Sequence, residues 1–83
     1  MSKYDPLRRF LASAPPKTDT VTLSFQQIEQ LLSDQLPYTA RHQRAWWANE
    51  ARSGTHSQAK SWLAAGWQVD HVDAPGEWVR FRR

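Results

Sequence analysis

Apolar positions recur along this chain with two spacings, and the spacings divide it into elements. Leu7, Phe10 and Leu11 follow Pro6 at i, i+3 and i+4, so residues 5–13 are expected to form a short amphipathic helix with proline in its first turn. Ala14-Pro15-Pro16 ends it, and residues 1–4 and 13–19 read as flexible. Thr20-Val21-Thr22-Leu23 then alternates polar and apolar with β-branched residues, which suits a short strand. Ser24 with Gln27 three residues on is a capping box, and Phe25, Ile28, Leu31 and Leu32 supply the buried stripe of a second helix.

Leu36-Pro37 interrupts that helix, and Thr39 is placed to cap a third running from Ala40 towards Asn49. This third segment has no clean stripe. Trp46 and Trp47 are adjacent, and adjacent helical residues point about 100° apart, so one of the two is expected to touch solvent or a partner. After the Arg52-Ser53-Gly54 break, Thr55 and Gln58 repeat the capping signature. Ala59, Trp62 and Leu63 keep helical spacing up to a stop at Gly66, giving a fourth helix over 56–65 packed by Trp62 and Leu63. Trp67, Val69 and His71-Val72 lead to a turn at Asp73-Ala74-Pro75-Gly76. The closing strand puts Trp78 and Arg80 on one face and Val79 and Phe81 on the other, a β-hairpin. The order predicts an α+β, winged-helix-like fold: three to four short helices, a short strand able to join the sheet as a third member, and a C-terminal β-hairpin.

Eighty-three residues make a single domain spanning 1–83, too small for a large enclosed active site. With no cysteine, disulfides, thiolate chemistry and cysteine-ligated zinc are excluded. The apolar runs are too short for a membrane span, and Met1-Ser2-Lys3-Tyr4-Asp5-Pro6 lacks a signal-peptide core, so a cytoplasmic protein is expected. The net charge of +3 is unevenly placed. Residues 38–60 hold Arg41, Arg44, Arg52 and Lys60 against Glu50 alone, while bases and acids balance on either side. A localised basic face attracts phosphate, although a solvated helix surface that happens to lack acids has the same composition.

Candidate chemistry follows from these placements. His42, His56 and His71 lie on different elements with no ligand spacing, and no nucleophile elbow, phosphate loop or paired acids appear, so neither a catalytic residue nor a metal or other cofactor is expected. Arg41 and Arg44 share a helix face, and arginine grips phosphate or a guanine edge in bidentate fashion. His56, Ser57 and Gln58 open a helix whose free N–H groups suit a phosphate or base edges, Lys60 follows one turn later, and Arg80 and Arg82 alternate on the last strand. Each base is equally readable as a solvated surface charge. Trp46 and Trp47 with Asn49 offer a stacking wall and an amide for an extruded base, or simply core and cap.

Four motifs carry a resemblance: Leu23-Ser24-Phe25 through Ile28-Glu29, Leu36-Pro37-Tyr38-Thr39-Ala40, Trp46-Trp47-Ala48-Asn49, and His56-Ser57-Gln58-Ala59 through Trp62-Leu63-Ala64-Ala65-Gly66-Trp67. Together they resemble a family of small uncharacterised bacterial and archaeal domains, with a match from Tyr4 to Arg82. A looser similarity, through Ser24–Ile28 and Trp62–Val69, is to winged-helix regulators, and it implies a helix leading into a wing strand. The resulting expectation is a DNA-binding module that contacts double-stranded DNA without catalysis. The alternative is a protein-interaction domain, homodimeric or with another partner, that uses an exposed tryptophan surface and the hairpin edge.

Overall fold

A computed structural model describes residues 3–50 and 57–83. Among them the chain folds as α+β: four α-helices, one 3-10 turn and a three-stranded antiparallel sheet that ends in a hairpin.

Helix α1 spans Asp5–Ala12, with proline in its first turn, and buries Leu7 and Leu11. Phe10, expected on that stripe, is 39% exposed, because the buried pair one turn apart already faces the core. Strand β1, Thr20–Ser24, passes without a loop into helix α2, Phe25–Leu32. The transition is fixed by the capping box: Gln27 N donates to Ser24 Oγ (3.0 Å) and Ser24 N donates to Gln27 Oε1 (2.8 Å).

The third helical segment differs most from the periodicity reading. Helix α3 covers only Tyr38–His42, with Pro37 rather than Thr39 at its N-cap, and Gln43 is extended (φ −129°, ψ 113°) before a 3-10 turn over Arg44–Trp47. The competing hydrogen bond explains the break. In a continuous helix the Ala40 carbonyl accepts from the backbone of residue 44; here it accepts from the Trp47 indole Nε1 at 2.7 Å. Setting the turn at its own angle lets Trp47 enter the core at 2% exposure, beside Phe25 and Trp62, and burial of so large a ring outweighs one helical turn.

Helix α4, Ser57–Ala64, is followed by Gly66 at φ +87°, and Trp67 N closes back on Trp62 O at 2.9 Å. The Thr55 half of the second capping box lies outside the described residues. Strands β2, Gln68–Asp73, and β3, Trp78–Arg82, form the hairpin, and the sheet order is β1-β3-β2. A register shift between Val69 and His71 places Asp70 in a bulge.

One face of the sheet packs on the helices. Val79 and Phe81 are fully buried, as their alternation predicts, and Leu23 is buried beside them. Aromatic rings run through the core in sequence: Phe25 on Trp47 (5.5 Å between centroids), Trp47 on Trp62 (5.9 Å), Trp62 on Phe81 (5.6 Å). Trp67 joins through its indole N–H, which donates to Leu11 O at 3.0 Å and ties the end of α4 to α1. Leu63 is 37% exposed and lies off the core face of α4, where Ala59 and Trp62 are buried and Trp62 meets Phe81 of the sheet.

Candidate nucleic-acid interface

The residues proposed from sequence as DNA contacts fall into three groups once folded: those spent on the architecture, those on the outer side of α4, and those around β2. Arg41 belongs to the first. Its Nη2 donates to Glu29 Oε2 (2.8 Å), its Nη1 to Glu77 Oε2 (2.5 Å), and its guanidinium lies over the Phe25 ring at 5.4 Å. It therefore joins α3 to α2 and to the hairpin turn. Glu29 Oε2 also accepts from Leu36 N at 2.9 Å, fixing the loop between α2 and α3. The Arg41 hydrogen bond, with the Leu36 amide next, holds the Glu29 carboxyl below its usual range, and Glu29 in turn holds the Arg41 proton more tightly.

Gln58, Trp47 and Asn49 are likewise structural. Gln58 is 6% exposed and its Nε2 donates to Trp46 O at 3.1 Å, so its amide faces the interior and not a groove. Trp47 is buried between Phe25 and Trp62 and has no face for a base. Asn49 makes three hydrogen bonds: Nδ2 donates to Val69 O (3.0 Å), and Oδ1 accepts from Val69 N (2.8 Å) and Trp62 Nε1 (2.9 Å). Trp46 is the half-buried member of the pair, packed edge-on against Trp47 (4.6 Å) and Tyr4 (5.9 Å). The same burial pushes the Tyr4 phenol up.

On the outer side of α4, Ser57 and Lys60 are exposed, and with Ala64 they line a shallow cleft whose other wall is Asp5 and Arg8 of α1. Arg8 was not anticipated; only its position on the polar side of the first amphipathic helix hinted at it. Its Nε lies 3.8 Å from Asp5, a loose contact, and the side chain is 40% exposed. His56, the next candidate, lies outside the described residues.

Around β2, Arg44 is exposed and lines a groove whose far wall is Val69, Asp70, His71 and Val72. Arg80 Nε lies 2.7 Å from Asp70 Oδ2, and Arg82 Nε 3.4 Å from Asp70 Oδ1. The two arginines alternate on the sheet face that turns away from the helices, as Thr20↔Arg82 and Thr22↔Arg80 show. They are therefore brought together with each other, but onto a different surface from Lys60.

Among the described residues no group of three or more His, Cys, Asp or Glu side chains is placed to hold a metal ion, and no helix is long and apolar enough to cross a membrane. The family model that matches residues 4–83 of the chain is described as Domain of unknown function (DUF7662). No curated protein and no solved structure matches the chain.

Proposed function

The chain belongs to this family of unknown function, and we propose that it is a winged-helix-like module that binds double-stranded DNA without catalysis, which places it with the DNA in the cytoplasm. The observation that carries the reading is topological. A helix, a strand, further helices and a hairpin succeed one another, and the first strand pairs with the last, giving β1-β3-β2. In that arrangement the helix before the hairpin is the one that meets the major groove. Here it is α4, and its outer side presents Ser57 and Lys60 with Arg8 beside them, a short polar group and two cations, of which Arg8 is held only loosely by Asp5.

The competing reading, a protein-interaction surface built on exposed tryptophan, has less support, because Trp47 is buried and Trp46 is pinned by Tyr4. Three carboxylates serve the fold: Glu29 holds Arg41, Asp34 accepts from Gln35 N, and Asp73 accepts from Gly76 N. That supports binding over acid–base chemistry.

The test is a titration against mixed-sequence duplex DNA over a range of salt. Binding is expected at low salt, with affinity falling log-linearly as salt rises, and Lys60→Ala is expected to make that slope shallower by about one unit. No binding to any duplex at about 50 mM salt removes the proposal, since condensed counterions are released most favourably there.

A further inference from the structure

The side of the sheet turned away from the helices carries three cross-strand rows: Ser24, Trp78 and Asp73; Thr22, Arg80 and His71; Thr20, Arg82 and Gln68. None of these side chains belongs to the core. Trp78 is half-buried, and what holds it is the hairpin turn. A Cβ on Gly76 would fall 2.9 Å from the indole Cδ1 and Nε1, so the ring lies directly on a residue that has no side chain. The His71 ring sits 5.3 Å from it on the neighbouring strand. One row further on, the Arg80 and Arg82 guanidiniums share the single carboxylate of Asp70. Two cations divided over one anion leave a positive balance at that end of the face.

We propose that this open face binds single-stranded nucleic acid, with a base stacked on Trp78 and the backbone phosphates gripped by Arg80 and Arg82. Alternate side chains on one strand stand about 7 Å apart, roughly the reach of one extended nucleotide, so a ring and two guanidiniums in line on β3 match successive units of a single strand. A duplex hides its base faces in the stack and cannot use the ring. An added peptide strand would pair with a sheet edge, and the row of groups here is on the face. Asp70 keeps both guanidiniums in position while the site is empty and competes with the phosphate for them. The proposal does not depend on duplex binding by α4, which uses residues on a different surface.

The experiment is fluorescence anisotropy with a labelled oligothymidylate of about 12 nucleotides, a length that more than covers one such face. Wild-type protein is expected to bind at low salt. Trp78→Ala is expected to weaken binding about tenfold or more and Trp78→Phe only slightly, as loss and retention of a stacking ring demand. Arg82→Ala is expected to reduce the salt slope by about 0.7. Asp70→Asn is the decisive variant. Removing the competing anion is expected to tighten binding severalfold, whereas a merely structural Asp70 gives a weaker binder or no change, and either of those results overturns the proposal. Arg9→Ala, which removes an exposed charge on α1, is the control and leaves affinity unaltered. Failure of the wild type to bind also overturns it, as does a Trp78→Ala protein that is folded by circular dichroism and binds as tightly as wild type. Duplex titration of the same variants reads the α4 surface separately.

Discussion

Asn49 holds Val69 by both of its backbone groups, donating to the carbonyl at 3.0 Å and accepting from the amide at 2.8 Å. A single side chain thereby does what a neighbouring strand would do at the outer edge of β2. Its oxygen also receives the Trp62 indole N–H at 2.9 Å, so the same amide fixes the edge of the sheet to the centre of the core. Blocking an edge in this way removes a site at which a second chain could pair. Asn49→Ala leaves the Trp62 donor inside the protein without a partner and frees both Val69 groups. A loss of about 2–3 kcal/mol is expected in urea unfolding, more than one ordinary hydrogen bond contributes, because an unsatisfied interior donor retains its desolvation cost. Asn49→Asp keeps the acceptor for both N–H groups, sets a carboxylate oxygen against the Val69 carbonyl in place of the donor, and is expected to be less damaging. Equal losses for the two variants would contradict the account.

The Glu29–Arg41 contact predicts the direction of the acid response. Glu29 is held below the ordinary value of 4.5, first by the Arg41 hydrogen bond and then by the Leu36 amide. A carboxyl whose folded value is depressed contributes stability that is complete above its unfolded value and disappears as pH falls through the folded one. Asp34, held below 3.8 chiefly by the Gln35 amide, acts in the same sense. The thermal midpoint is therefore expected to fall as pH drops below about 4.5, and Glu29→Gln, lower in stability at neutral pH, is expected to show a smaller fall. Because the pair is partly open to solvent, the effect is also expected to shrink in high salt. An acid profile identical in Glu29→Gln and wild type would exclude Glu29 as its source.

How far the sequence could be read depended on how local the determining contact was. The Ser24/Gln27 capping box, the Gly66 stop and the alternation of Val79 and Phe81 each rest on residues at most five apart, and each was legible. Arg41 was not. Its partners are 12 and 36 positions away, and a cation on a short helix looks the same whether it faces phosphate or two carboxylates. Asn49, whose partner Val69 is 20 residues on, stayed open between cap and base contact for the same reason. The sequence separates Trp46 from Trp47, and the structure has Trp47 buried and Trp46 half-buried, though in a 3-10 turn and not in the helix expected to run towards Asn49. What periodicity could not show is that the helix ends at His42 so that Trp47 can turn inward. Several motif residues behind the family resemblance serve the packing: Trp47, Ala59, Trp62 and Trp67 are buried, and Asn49 bonds Val69 and Trp62. That explains why they identify the fold more sharply than any ligand.

Two glycines separate backbone strain from steric overlap. Gly66 has φ +87° and nothing within 4 Å of a built Cβ, so Gly66→Ala meets strain alone and is expected to cost about 1–2 kcal/mol with the tryptophan environment unchanged. Gly76→Ala would bring a methyl to 2.8 Å from Asp73 Oδ2 and 2.9 Å from the Trp78 ring. Both neighbours are side chains near the surface and can move, so the expected result is a displaced indole: a modest change in midpoint accompanied by a red-shifted tryptophan emission. Emission shifts of the same size in both variants would refute the distinction.

Gln58 provides a sharper contrast, because its sequence position and its folded position imply opposite behaviour. At the start of a helix it is placed to read a base edge, and there Gln58→Ala would alter the preference among DNA sequences while leaving stability alone. In the structure the amide is turned inward, donating to Trp46 O at 3.1 Å, and the neighbouring Ser61 hydroxyl donates to the Gln58 carbonyl at 2.6 Å. Truncation removes the donor from a part-buried carbonyl and loosens the 3-10 turn that carries both tryptophans. Gln58→Ala is therefore expected to cost about 1–3 kcal/mol by thermal or urea unfolding. Below its melting temperature it is expected to bind every duplex in the same rank order as wild type. Lys60→Ala, on the exposed side of the same helix, is expected to do the reverse, leaving the midpoint within about 0.5 kcal/mol of wild type while weakening duplex binding. A Gln58→Ala protein of unchanged stability whose ranking of duplexes has shifted would place that amide at the surface and reinstate it as a reader of sequence.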